Sequence, residues 1–341
     1  MEKVTIKTVA AHAGVSMSTV SRALAGSTTV DPELRKAVVQ SAQQLGYARN
    51  SIASALRSSK TRSVGMVVPE IANPFVTDLV QEVEDALHMA GYQLLLCNAH
   101  QDPLREREAL TSLISRQVDG LIISPVDSVD SMEGVRAAAS STRLVQIDQR
   151  IEGLDADWVG VDDEQGIRLV LEHLASMGAQ SAGFVGSIEA DSSSSSRLRA
   201  FHRICFELGI TVKPADVRLG AYSASFGRQA TKALIDGGNL PDALVCGADI
   251  IAIGALQTCH ERGISVPDSL SVTGFDDIEF AKLCTPQLTT VRQPLKAMAK
   301  QAVQLVLSDR ESVEATTKSA FSPRLVERRS TNPRSNVEGL S

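Results

Sequence analysis

Thr5-Ile-Lys-Thr-Val-Ala-Ala-His-Ala-Gly-Val-Ser-Met-Ser-Thr-Val-Ser-Arg22 is the stretch whose pattern decides how the chain begins. Ile6, Val9, Ala10 and Ala13 recur at helical spacing on one face, Gly14 supplies a tight turn, and Val15, Val20 and Ala23 start a second apolar face. This predicts a helix-turn-helix. Thr5 and Ser16 stand where their hydroxyls can accept bonds from orphaned first-turn N–H groups. Three positions on come Thr8 and Thr19, not Glu or Gln, so neither start is expected to form a full capping box. A third helix is expected from Asp31-Pro32, carrying Leu34, Val38, Ala42 and Leu45 and stopping at Gly46.

Charge separates this segment from the rest. Residues 1–62 hold nine Lys or Arg against three acids, a balance of +6, whereas the whole chain is −6, which leaves −12 for residues 63–341. A basic head on an acidic body is the footprint of phosphate binding at one end only.

From Ser63 onward, short apolar strands alternate with longer helical segments, which predicts α/β lobes built on parallel sheets. Strands are expected at 64–68, 94–97, 121–124, 144–147, 183–186, 244–247 and 271–275, with helices at about 75–90, 104–117, 164–177, 197–208, 225–237 and 250–262. So long a segment exceeds one comfortable core, so two lobes with a cleft beyond the strand carboxyl ends are expected.

The head motif, the later Leu45-Gly-Tyr47 and Asn50-Ser-Ile-Ala-Ser-Ala-Leu56 resemble, in order and spacing, the lactose-repressor (LacI/GalR) family of bacterial transcription regulators. The likeness covers nearly the whole chain. Thr8 and Arg49 depart from the family pattern, where relatives often carry Asp and Pro. The resemblance implies an α/β protein with an N-terminal helix-turn-helix DNA-binding head and a two-lobed, type I periplasmic-binding-protein-like core. It implies these divisions: head 1–49, hinge helix and linker 50–62, one lobe 63–160 plus 293–324, the other lobe 161–292, and a polar tail 325–341.

By the same resemblance, the second helix reads the major groove, with Met17, Ser18 and Arg22 at base-reading positions. Arg22 can bond guanine bidentately, Met17 offers apolar contact to a thymine methyl, and Ser18 is permissive. Thr5, Ser16, Thr19, Ser21 and Asn50 read as phosphate contacts, or equally as ordinary caps and solvated hydroxyls. The 50–57 segment is too short to be stable as an isolated helix. In the family it becomes a hinge helix on operator DNA with Leu56 as a minor-groove wedge; otherwise it is a Ser-rich linker. Double-stranded operator DNA bound as a palindrome by a homodimer, with repression as the outcome, is what the resemblance implies.

Effector candidates lie just after the strands and mostly coincide with positions the resemblance implies: Phe75 in Asn73-Pro-Phe-Val76, Asp148, Asp191, Ser193 and Tyr222, with Arg197 and Asp276 matching the family's effector-binding Arg and hydroxyl-binding Asp. An Arg and an Asp under an aromatic ring suit a sugar, a sugar derivative or a nucleoside, whose hydroxyls both donate and accept. Ala248 and Gln149 depart from the usual family residues. The competing readings make Asp249 a helix N-cap, Phe75 a core residue and Asp277 a solvated carboxylate, and Ser192–Ser196 reads as a polar loop at the cleft edge.

No enzyme is expected. Asp162-Asp163 and Asp276-Asp277 are adjacent pairs, and neighbours on a strand point to opposite faces. The five cysteines form no CxxC pair, the six histidines lack ligand spacing, and neither a cofactor nor a metal is called for. With no leader pattern and no apolar run long enough for a bilayer, a cytoplasmic location is expected. The competing reading is a sugar-binding sensor without operator-specific DNA binding.

Overall fold

A computed structural model describes residues 4–24, 29–47, 60–188, 190–238, 240–308 and 316–331. The chain divides into two units, Met1–Thr61 and Arg62–Ser341.

The first unit contains α1 (Ile6–Ala13), α2 (Met17–Leu24) and α3 (Pro32–Gln44). Their inward faces meet in one small core around Val9, Val20 and Val38, each fully buried, with Ala10, Ala23, Val30 and Ala42. Gly14 ends α1 at φ 66°, a left-handed conformation that costs a residue without Cβ little. The start of α1 departs from expectation. Thr5 Oγ1 accepts from the Thr8 amide, and Thr8 Oγ1 accepts from the Thr5 amide at 3.3 Å, so a reciprocal box exists with a threonine where Glu was sought. Ser16 Oγ accepts from the Thr19 amide at 3.1 Å, and Asp31 caps α3 through the amides of Glu33 and Leu34. Asn50 and Leu56 lie outside the described residues.

The second unit opens with β1 (Ser63–Val68), α4 (Pro74–Met89), β2 (Gln93–Asn98), α5 (Pro103–Ser115), β3 (Gly120–Ile123), α6 (Met132–Ser141), β4 (Leu144–Ile147) and β5 (Asp157–Val161). It continues with α7 (Asp163–Ser176), β6 (Ala182–Ser187), α8 (Ser192–Leu208), β7 (Val217–Gly220), α9 (Ala224–Asp236), β8 (Ala243–Cys246), α10 (Asp249–Glu261), β9 (Ser271–Thr273) and α11 (Glu279–Leu283). It closes with β10 (Thr290–Arg292), α12 (Leu295–Leu307), β11 (Lys318–Phe321) and β12 (Arg324–Val326).

Two parallel sheets result. The first lobe's sheet runs β11-β5-β4-β3-β1-β2 and the second lobe's runs β7-β6-β8-β9. Each is buried on both faces, which is why the expected strands read as apolar runs without alternation. In the first lobe, α4 and α12 cover one face over Met66, Ile122 and Val145, while Leu110, Leu113 and Val135 from α5 and α6 cover the other. In the second lobe, α7 and α8 bury Val170, Leu174, Phe201 and Ile204 against Phe184 and Val245, and α9 and α10 pack on the opposite face. Phe184 and Phe201 are both fully buried, with ring centroids 5.2 Å apart.

Three passages link the lobes: after β5 at Val161, from β10 to α12, and from β11 to β12. The last of these corrects the expected tail. Arg324–Val326 pairs antiparallel with β10, the Ser330 hydroxyl donates to the Val272 carbonyl at 2.6 Å, and Thr331 meets His173 Nε2 at 2.9 Å. Residues 324–331 are therefore integral to the second lobe; their polar side chains had disguised them because the bonds are to backbone and buried hydroxyls. Likewise Ser192–Ser196 is no loop but the first turns of α8, capped by Asp191.

Phe201→Ala should destabilise the second unit by about 3 to 5 kcal/mol, since the ring leaves a void that its neighbours cannot fill. Urea unfolding followed by fluorescence or circular dichroism checks this, and a loss below about 1 kcal/mol would contradict the packing described.

Candidate functional site

The site is a cavity at the mouth between the lobes. It is lined by Phe75, Asp148, Ser193, Arg197, Tyr222 and Asp276 from among the expected residues, and by Glu70, Gln101, Gln149 and Ala248 besides. Asp191 is set behind it, as the cap of α8. The cavity measures about 30 Å³, space for about two waters.

Arg197 is the centre of its charge. Its side chain is 3% exposed; Nε donates to Asp163 Oδ1 at 2.7 Å, Nη1 donates to the Gly247 carbonyl at 2.7 Å, and the guanidinium carbon lies 3.7 Å from the Phe275 ring centre. Burial alone would lower its pKa, but the surrounding carboxylates, Asp163 foremost, raise it above the ordinary arginine value. Asp163 was missed because its partner lies 34 positions away and no local pattern connects a residue at the start of α7 with one inside α8.

Three acids at the cavity or its edge have positive φ: Asp148 at 63°, Asp276 at 119° and Asp277 at 59°. Such conformations cost on the order of 1 to 3 kcal/mol each and persist only where surrounding contacts hold them. The Asp276 amide donates to the Val291 carbonyl, and Gln293 Nε2 donates to Asp276 Oδ1 at 2.8 Å. Asp277 is not a solvated carboxylate: its side chain is 3% exposed and is held by Arg292 and Arg328. Asp249 is not the cap of α10 either. That position is Ala248, while Asp249 is fully buried, accepting from the Ile278 amide at 2.9 Å and from Thr290 Oγ1 at 2.5 Å. It tethers the loop that carries Asp276, and Gly274 lets it approach, since a Cβ there would come within 2.0 Å of its Oδ1.

Polar contacts also bridge the lobes. Gln149 Nε2 donates to Asp191 Oδ2 at 2.5 Å, the Arg150 amide donates to Ser192 Oγ at 2.9 Å, and the Ser128 amide donates to the Ala190 carbonyl at 3.0 Å. Tyr222 donates its hydroxyl to Asp191 Oδ1 at 3.2 Å. Ile278, beyond β9, is buried in the core cluster of the first lobe. Burial pushes Asp148 and Asp276 well above the carboxylate range against the pull of Arg197, and it raises Asp191 to about 6.

In the first unit, Met17, Ser18 and Arg22 are exposed on the side of α2 opposite Val20 and Ala23. Met17 is 53% exposed, unusual for a large apolar side chain, and Arg22 Nε reaches back to the Ser18 carbonyl at 3.4 Å. Thr5 and Ser16 cap their helices, and Thr19 and Ser21 are half-buried. Among the described residues no cluster of His, Cys, Asp or Glu is placed to hold a metal ion, and no helix is long and apolar enough to cross a membrane.

A helix-turn-helix joined in one chain to a two-lobed core with a polar cleft is the build of a DNA-binding regulator, a class that rests on family relationship and not on the fold alone. The chain belongs to the bacterial regulatory proteins of the lacI family, whose model matches residues 5–50, and a periplasmic binding protein-like domain matches residues 171–331. It is 32% identical to the HTH-type transcriptional regulator DegA of Bacillus subtilis over 97% of this chain and 99% of that one. It is 32% identical to the regulator GalR of Escherichia coli over 96% and 95%. A crystal structure of the lac repressor dimer bound to operator and the anti-inducer ONPF matches with a TM-score of 0.87 at 26% identity, covering 97% of this chain and all of that one.

A pH dependence follows from Asp191. Its raised pKa means that the folded state keeps a proton the unfolded chain releases, so the stability it lends is full below pH about 4 and lost as pH passes about 6. Across pH 4 to about 7, the melting temperature should fall relative to that of Asp191→Asn, as calorimetry of both proteins would register; parallel profiles would exclude the shift.

Proposed function

We propose that the protein is a dimeric transcriptional repressor that binds a palindromic operator through Met17, Ser18 and Arg22 and is controlled by a small hydroxyl-rich effector in the inter-lobe cavity. The observation that carries this reading is the presence in one chain of a helix-turn-helix whose α2 exposes Met17, Ser18 and Arg22 and of a cleft lined by buried Arg197 and Asp276. Arg22 and Ser18 supply polar readout and Met17 an apolar contact, while Thr5, Ser16, Thr19, Ser21 and Asn50 serve phosphate contact and Leu56 the minor-groove wedge. The cavity's role is binding, not catalysis. The relatives named above are transcriptional regulators, which supports that reading.

The lac repressor structure, by its own description, is of a dimer on operator with a small ligand. In this chain a dimer surface is offered by the groove of Ile250, Ile253 and Leu256 beside Phe280 and Leu283, which are 52% and 69% exposed. An apolar surface of that kind favours a second copy over water. Control follows if the effector prefers one arrangement of the lobes and operator the other.

The test is a mobility shift with operator duplexes selected in vitro from random sequence, against scrambled duplex. A preference for a palindrome supports the reading, and equal affinity for both would leave only the sensor function. Arg22→Ala should lose about 1 to 3 kcal/mol of discrimination at one base pair of each half-site; a uniform loss on all sequences would make Arg22 a phosphate contact alone. Leu283→Asp should shift the protein toward monomer in sedimentation velocity, and an unchanged dimer would remove that groove from the interface.

A further inference from the structure

Carboxylates outnumber cations in the cavity. Arg197 is the sole cation among its lining residues, against Glu70, Asp148 and Asp276, with Asp163 and Asp191 just behind. Two donors of Arg197 are already engaged by Asp163 and Gly247, and Asp191 is satisfied by the Ser194 amide, Gln149 and Tyr222. What remains is unmatched. Among the described residues nothing donates to the Asp148 carboxylate, and Asp276 receives only Gln293 Nε2. Ala248 adds no polar atom. With these acids ionised, as they would be against a bound cation, the wall carries three carboxylates against one guanidinium.

A neutral hydroxyl brings an acceptor with every donor, whereas an ammonium brings three donors and none to be satisfied. We propose that the effector is a small sugar or polyol bearing a protonated amine, whose ammonium is matched by Asp148 and Asp276 while its hydroxyls meet Ser193 and the free edge of Arg197. This rests on the effector reading above and narrows its ligand class. Charge-assisted bonds to a carboxylate in a dry site outweigh neutral ones, so the amine is a selectivity element and not only an anchor. The raised pKa values of Asp148 and Asp276 fit a site that holds protons until a cation arrives.

The experiment compares matched pairs by calorimetry on the full-length protein: glucosamine with glucose, galactosamine with galactose, and mannosamine with mannose, each with the N-acetyl derivative as a third member. At least one amine should bind about tenfold or more tightly than its neutral and N-acetyl twins. Asp148→Asn, which keeps size and removes charge, should shrink that gap to about twofold, and Asp276→Asn gives an independent check if the first variant folds poorly. A neutral twin binding as tightly as its amine, or no binding by any amine, would overturn the proposal. Operator preference is measured on the same preparation without ligand. Its presence beside a failed amine comparison discards only the ligand class, whereas its absence discards the regulatory reading.

Discussion

A single guanidinium withdrawn from water governs the second unit. An arginine with 3% of its side chain exposed stays in place only if carboxylates and carbonyls replace its hydration, and breaking such a buried pair from one side typically costs about 3 to 5 kcal/mol. Arg197 obtains that replacement from Asp163 at the head of α7, from the Gly247 carbonyl after β8 and from the face of Phe275 after β9. Those three elements are thereby fixed relative to α8. The loops they lead into carry the polar residues of the cleft, so its geometry is inherited from one ion pair.

Acids that gather around one cation repel each other, and the protein answers by tethering each to a different element. Asp191 caps α8 and takes a bond from Gln149 of the other lobe; Asp249 holds the Ile278 amide; Asp276 is gripped by Gln293 at the passage into α12. Two of these tethers reach across the lobes or into a crossing, so acids of the cavity take part in the contacts that hold the lobes together.

The helix-turn-helix was legible because its causes are local: apolar spacing, a left-handed glycine and short-range hydroxyl caps all lie within a few residues. Most strands of the two sheets were legible for a similar reason, as continuous apolar runs between turns. Strand β5, with Asp157 bonded to Arg143 and a glycine at its fourth position, and β7, with Arg218 in it, lack that run and escaped notice. Residues that line the cavity, such as Phe75, Asp148 and Asp276, were legible where they follow strands. Asp163 and Gln293 were not, since their partners are distant in sequence and the positive φ of Asp276 has no signature in the letters around it.

Strand β12 and the buried Ser330 and Thr331 complete a lobe whose sheet began far earlier in the chain. During synthesis the ribosome will therefore release a finished three-helix head long before the ligand-binding core can close, because Val272 and His173 wait for Ser330 and Thr331, which are translated after the rest of the lobe. A message cut short upstream of residue 324 would yield a product with an intact reader but an incomplete sensor.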